Sequence, residues 1–170
     1  RRGFITPQPQ KRPRSSWIRF EAEQPNQRWQ ADVTHWHLAD GTPVEILNIL
    51  DDHSRLAIAS HARTVTTGPD VVDTFLAAIT TWGTPAGLLT DNRALCTARQ
   101  RGNGRTTLEI VLGELGIRYD HSRPYHPQTC GKVERFHQTE KKYLRAQPPA
   151  ATVAELQTQM DTFTGYYNTQ

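Results

Sequence analysis

A change in hydrophobic periodicity near residue 68 is the feature that most constrains the fold. Before it, three β-type segments at 21–38, 43–50 and 56–61 follow one another with only short turns between them. After it, apolar residues recur at helical spacing, and short β-type segments separate the helices. Consecutive strands joined by short turns predict an antiparallel meander. The later strands, each preceded by a helix, predict a parallel extension of the same sheet.

The predicted order of elements is β-β-β-α-β-α-β-α-α. The later strands are predicted at 85–89 and 117–119, and the helices at 68–83, 106–115, 131–146 and 152–167. This order predicts an α/β domain built on a mixed five-stranded sheet, an antiparallel meander followed by parallel strands. Helices are expected on both faces of that sheet.

Composition limits the class of protein. The 170 residues fit one domain with a sizeable core, and 36% of them are hydrophobic. No apolar run reaches the roughly 20 residues that cross a bilayer, so no membrane partner is expected. The two cysteines, Cys96 and Cys130, argue against a disulfide framework and fit a reducing cytosol. Neither has a histidine at zinc-site spacing.

Residues 1–25 differ in composition from the rest of the chain. Positions 1–19 contain six basic residues, three prolines and no acidic residue. This predicts an extended basic arm or linker over 1–25, ahead of one folded domain over 26–168. Two interpretations of the arm stay open, a solvated linker between domains and a strap along a phosphate backbone.

Three carboxylates stand in distinctive local contexts. Asp32 lies in the first predicted strand, Asp91 follows the fourth, and Glu134 lies in the first turn of the helix that begins near residue 131. If the first and fourth strands are neighbours, all three can meet at one edge of the sheet. Carboxylate oxygens are the ligands that Mg²⁺ prefers, and paired ions about 3.5–4 Å apart stabilise both oxygens of a phosphoryl displacement. The chain is therefore predicted to be a metal-dependent enzyme acting on nucleic-acid phosphodiesters.

The remaining acids and histidines are given more ordinary roles. Five aspartates are predicted to be turn or cap residues: Asp40, Asp51, Asp52, Asp70 and Asp120. His35 and His37 alternate on one strand without further ligands nearby, which does not favour a metal site. His126 precedes Glu134 in a loop and is a candidate for contact with substrate.

The helix that carries Glu134 has a basic, polar surface. Gln138 and Lys141 follow Glu134 at i+4 and i+7 and share its face, while Lys132 and Arg135 flank it. These four side chains are predicted DNA contacts. The alternative is an ordinary solvated helix.

Four stretches together resemble a known family. They are WQADVT at 29–34, LDDHSR at 50–55, TDN at 90–92 and PYHPQTCGKVERFH at 124–137. The chain resembles, over about 26–168, the integrase catalytic core of bacterial insertion-sequence transposases, and more distantly the retroviral integrases. The resemblance implies a ribonuclease-H-like fold with a DDE triad of Asp32, Asp91 and Glu134. These residues are expected to be both catalytic and metal-binding.

The same resemblance implies the chemistry and the partners. Two Mg²⁺ or Mn²⁺ ions are expected with DNA bound, and the reaction is 3′-end cleavage and strand transfer of transposon-end DNA into target DNA. A homodimer or higher assembly, an upstream helix-turn-helix region and a nucleoid-associated place in the bacterial cytoplasm are also expected.

One position departs from the family pattern. The pair Asp91-Asn92 is usually followed by glycine, and here Arg93 follows it. Glycine allows positive φ without steric cost and arginine does not, so Arg93 either strains the turn or contacts DNA together with Asn92. Arg93 supports one alternative to a transposase, a degenerate copy that binds DNA without catalysis. A nuclease of the same fold, which only hydrolyses, is a second alternative that stays open.

Overall fold

The computed structural model describes residues 22–90, 106–121 and 131–169, and over these the element order is the predicted one. The strands are β1 (Trp29–His37), β2 (Pro43–Asp51), β3 (Ala57–Arg63), β4 (Gly87–Thr90) and β5 (Arg118–His121). The helices are α1 (Gly68–Trp82), α2 (Thr107–Glu114), α3 (Gly131–Arg145) and α4 (Val153–Tyr167). Within these ranges, no helix is long and apolar enough to cross a bilayer.

The five strands form one mixed sheet in the order β3-β2-β1-β4-β5. The first three pair antiparallel, and β4 lies parallel to both β1 and β5. The predicted meander and its parallel extension are therefore confirmed. Because β1 is the central strand, Asp32 lies in the middle of the sheet, opposite Asn48 of β2.

Helices cover both faces of the sheet, as predicted. On one face α1 and α2 pack against alternate strand residues, with Trp29, Leu47, Phe75 and Leu112 in the core. On the other face α3 and α4 bury the opposite set, which includes Ile46 of β2. Since strand side chains alternate between faces, Gln30 and Asp32 belong to the face that α3 covers.

Local sequence explains where the helices begin. Thr67 caps α1, and its hydroxyl and the carboxylate of Asp70 form a reciprocal capping box. Thr106 and Glu109 do the same for α2, and Thr152 caps α4. The cap role predicted for Asp70 is thus confirmed.

Two of the other predicted turn aspartates also shape turns. Asp40 accepts from the Thr42 amide at 2.8 Å, and Asp51 accepts from the His53 amide at 3.1 Å and the Ser54 amide at 2.7 Å. The prediction for Asp120 is wrong, because this residue lies inside β5 and forms ion pairs with Arg28 and Arg118.

Asp52 lies in a turn, but its side chain does not shape that turn. The carboxylate is buried and forms an ion pair with Lys132 of α3, 80 positions further along the chain. The predicted turn position is therefore confirmed, whereas the buried ion pair of this side chain was not predicted. The amide of Ala22 also donates to it at 2.6 Å, so residues assigned to the basic arm already contact the core.

Candidate functional site

Asp32 projects from the central strand towards α3. Its side chain is 20% exposed. Oδ1 accepts a hydrogen bond from the Val33 amide at 2.8 Å, and Oδ2 lies 3.8 Å from Nδ1 of His137 on α3. The carboxylate is thus oriented by its own strand and remains partly open to solvent.

His137 is the residue of α3 that contacts Asp32, and its ring carries no charge that would neutralise the carboxylate. Burial and, to a smaller extent, the nearby Lys141 ammonium lower the pKa of His137 to about 4. The ring is therefore neutral at physiological pH, and the 3.8 Å contact is not an ion pair although the distance would permit one. Nε2 of this ring is buried and has no hydrogen-bond partner among the described residues.

Glu134 occupies the first turn of α3, where the sequence placed it, and its side chain is exposed. It precedes His137 by three positions, so the two side chains lie on neighbouring parts of one helix face. Because His137 contacts Asp32, α3 packs on β1 about one helical turn after Glu134. The structure thus brings two of the three predicted site elements together.

The third carboxylate, Asp91, lies outside the described residues, but the strand that leads to it does not. Thr90, the last residue of β4, is paired in parallel with Ala31, which directly precedes Asp32. The two strands therefore reach corresponding positions side by side. This is the neighbour relation on which the sequence argument for a common site depended.

The chemistry of these side chains suits a hard divalent cation. Asp32 and Glu134 both offer carboxylate oxygens that solvent can reach, which is the donor type that Mg²⁺ and Mn²⁺ take. Within the described ranges no group of three or more histidine, cysteine or acidic side chains is close enough to hold a metal ion. A set of carboxylate ligands that includes Asp91 fits the donor chemistry present.

The predicted DNA contacts differ in their surroundings. Asn92, Arg93 and His126 lie outside the described residues. Arg135 and Gln138 are exposed on α3, and Lys141 is half-buried. These contacts stay predictions.

Lys132 is mostly buried, unlike Arg135 and Gln138 on the same helix, because only 15% of its side chain is exposed. Its Nζ lies 2.8 Å from Oδ1 of Asp52 and 2.7 Å from the Asp52 carbonyl oxygen. Its ammonium therefore points into the protein, towards the turn after β2.

A buried polar ring lies under α3, and sequence reasoning missed it. Glu140 is fully buried, with Oε2 accepting from Asn48 Nδ2 at 3.0 Å. The Ser60 hydroxyl lies 2.6 Å from Asn48 Oδ1 and 2.9 Å from Glu140 Oε1. One hydroxyl proton cannot serve both oxygens, so the ring closes when Glu140 carries a proton and donates it to Ser60. Burial raises the pKa of Glu140 to about 7, which agrees with that state.

A model of the integrase core domain matches residues 22–127, and a second integrase core domain model matches residues 115–170. The chain belongs to the integrase core domain family. The resemblance on which the sequence analysis relied is thereby confirmed at the level of integrase cores.

Relatives of this integrase core occur in retroviral polyproteins. The Gag-Pro-Pol polyprotein of bovine leukemia virus (isolate Australian) is 33% identical over 111 residues, which are 65% of this chain and 7% of the polyprotein. The Gag-Pro-Pol polyprotein of human T-cell leukemia virus 3 (strain Pyl43) is 32% identical over 127 residues, 75% of this chain and 8% of the polyprotein. The chain therefore spans less than a tenth of the length of these relatives.

Solved structures show the same fold. The integrase catalytic core domain of HTLV-2 in complex with magnesium (trimeric form) superposes with a TM-score of 0.59 and 21% identity, covering 74% of each chain. A simian T-cell lymphotropic virus intasome in complex with PP2A regulatory subunit B56 gamma gives 0.64 and 24%, covering 82% of this chain and 48% of that one. The predicted ribonuclease-H-like architecture of integrase catalytic cores is thus confirmed.

Proposed function

We propose that this chain is the catalytic core of a DNA transposase that cuts at the ends of a mobile element and joins the freed 3′-hydroxyl to target DNA. The observation that carries the proposal is the convergence of β1, β4 and α3. Asp32 lies 3.8 Å from His137, three positions after Glu134 on α3, and β4 runs beside β1 up to the residue before Asp91. Membership of the integrase core family supports the same reaction class.

Asp32, Asp91 and Glu134 are the residues proposed to hold two Mg²⁺ or Mn²⁺ ions. When bound, such ions favour the nucleophilic form of water or of a 3′-hydroxyl and stabilise the charge on the leaving 3′-oxygen. The solved HTLV-2 core is in complex with magnesium, which supports a metal requirement. Because His137 is neutral, it forms no ion pair with Asp32 that a cation would have to displace.

Two exposed residues of α3 position the DNA in this proposal. Arg135 and Gln138 project from the exposed surface of α3 beside Glu134, where they can contact phosphate and sugar. Because phosphate contacts carry no sequence information, these side chains fix the orientation of the duplex. No side chain needs to form a covalent intermediate, since phosphoryl transfer depends mainly on positioning and on charge stabilisation.

The biological setting is part of the proposal. A bacterial insertion sequence supplies the transposon-end DNA, and the protein acts in the cytoplasm on the nucleoid. A dimer or larger assembly holds the two ends together. Solved relatives supply a parallel, because the HTLV-2 core was solved in dimeric and trimeric forms and the simian virus protein in an intasome.

The direct test is disintegration of a branched DNA with Mn²⁺, comparing wild type with Glu134→Gln. We expect metal-dependent activity in the wild type and a loss of at least about a hundredfold in the variant, as for an electrostatic contact made in the transition state. Glu114→Gln is the matched control, because Glu114 is an exposed acid at the end of α2. Equal activity of Glu134→Gln and wild type would refute the proposed site.

Precut ends separate the proposed joining reaction from hydrolysis. A transposase core joins a precut 3′ end to a second duplex, whereas a nuclease of the same fold only releases fragments. Metal-independent DNA binding with no cleavage or joining would indicate the degenerate, non-catalytic copy.

A further inference from the structure

Asp52 is the centre of a buried set of polar contacts outside the proposed catalytic triad. Its side chain is 1% exposed. The carboxylate accepts from the Ala22 amide at 2.6 Å, from Gln30 Nε2 at 2.5 Å and from Lys132 Nζ at 2.8 Å. The Asp52 backbone carbonyl accepts a further bond from Lys132 at 2.7 Å. One residue therefore joins the segment before β1, β1 itself and α3.

The positions of its partners are what matter for function. Gln30 precedes Asp32 by two residues on β1, and Lys132 precedes Glu134 by two residues on α3. Residues two apart on a strand project from the same face, so Gln30 and Asp32 both face α3. Asp52 thus links β1 to α3. On each element its partner lies two residues before a proposed catalytic carboxylate, Asp32 or Glu134.

The other contacts of the first turns of α3 are less directional. Val133 and Phe136 are buried in an apolar cluster with Leu50 and Phe163. Apolar burial is non-directional, so it holds the helix against the sheet without fixing its rotation or axial position closely. The two bonds from Lys132 fix these at the start of the helix, because one ammonium must reach both the carboxylate and the carbonyl of Asp52, as the Glu140 hydrogen bonds do about two turns later.

We propose that Asp52 and Lys132 are positioning residues that set the separation between Asp32 and Glu134. This rests on the proposed function, because the separation matters only if the two carboxylates share metal ions. Lys132 then acts through α3 and not as a contact to DNA. Small displacements of a catalytic group are costly, since a misplacement of about 1 Å can reduce a rate about a hundredfold.

The test uses a charge-neutral pair, Asp52→Asn with Lys132→Met. Changing either residue alone leaves an uncompensated buried charge, which would destabilise the fold for reasons unrelated to positioning. We expect the double variant to be folded but to bind Mn²⁺ at least about tenfold more weakly, with a kcat on branched DNA reduced by at least about as much. KM for DNA should stay within about twofold, because no phosphate contact is lost.

Mn²⁺ binding is measured on the protein without DNA, by water-proton relaxation, so that one readout does not depend on activity. Lys142→Met is the matched control, because it removes the same charge from the exposed surface of α3 and should leave Mn²⁺ binding unchanged. If Lys132 instead contacts phosphate, its loss will raise KM for DNA and weaken the salt dependence while Mn²⁺ binding stays at the wild-type level. That result would overturn the inference.

Lys132→Arg keeps the test decisive if the neutral pair does not fold. Arginine retains the charge, but its longer planar group cannot make both Asp52 bonds with α3 in place. Weaker Mn²⁺ binding at unchanged KM is expected, and wild-type Mn²⁺ affinity in whichever variant is folded would overturn the inference. Glu134→Gln distinguishes the two proposals, since activity in that variant would instead contradict the proposed function.

Discussion

Replacing Glu140 with glutamine should remove a pH dependence from the stability of this domain. In the buried ring with Asn48 and Ser60, a protonated carboxyl group donates one hydrogen bond and accepts one. A glutamine amide does both at any pH. The variant should therefore keep the ring and lose only the titration.

The magnitude follows from the pKa of Glu140, which burial raises from 4.5 to about 7. That rise corresponds to a free-energy difference on the order of 3 kcal/mol. Because the folded state holds the proton more tightly than the unfolded state, this stability is fully present below pH 4.5. It is lost as the pH rises through about 7.

The assay is urea unfolding of both proteins at several values between pH 5 and pH 8. Over this range wild type should lose on the order of 2–3 kcal/mol of unfolding free energy relative to Glu140→Gln. Other titrating groups, His137 included, are common to both proteins and cancel in the difference. Glu114→Gln, an exposed change of the same type, should run parallel to wild type. A constant difference between wild type and Glu140→Gln across the range would refute the protonated ring.

Two further predictions concern the site and the core. NMR titration of the His137 ring should give a midpoint near pH 4 in the folded protein and near 6.5 in concentrated urea, because burial disfavours the charged ring; a folded-state midpoint near 6.5 would contradict the neutral contact with Asp32. Leu112→Ala, at a fully buried position between α2 and the sheet, should cost about 2–5 kcal/mol in urea unfolding, whereas Leu115→Ala, at an exposed position, should cost much less; equal losses would contradict the described core.

The sheet and two of the three site elements could be predicted because their signals are local. The run at 43–50 is apolar at nearly every position, which indicates a strand covered on both faces, and β2 is buried in that way. Predicted helix ends lie within one or two residues of the observed ones, since threonine caps and glycine mark them. The adjacency of β1 and β4 was only a condition of the sequence argument, and the structure supplies it.

The roles of Lys132 and Glu140 could not be predicted, because their partners lie far away in the chain. In the sequence, Lys132 looks like one more surface cation on a charged helix. Only the fold shows that it contacts Asp52, 80 positions earlier. Glu140 stands in a charged stretch, and burial follows only from its packing on β2 and β3. A weak signal did exist, since Asn48 and Ser60 interrupt apolar strands at facing positions.

The central position of β1 has a consequence for how this site can be lost. Residues 29–31 of β1 are paired on both sides and buried, and amide hydrogens in such a segment exchange only when the whole domain opens. Asp32 directly follows this segment and is paired with Asn48 of β2, so its backbone is held in place while the sheet survives. Glu134 is attached differently, through the first turns of one helix, which can detach in a smaller opening. Catalytic activity and global stability are thus separable in this domain. Substitutions that change the contacts between α3 and the sheet could alter activity without weakening the sheet.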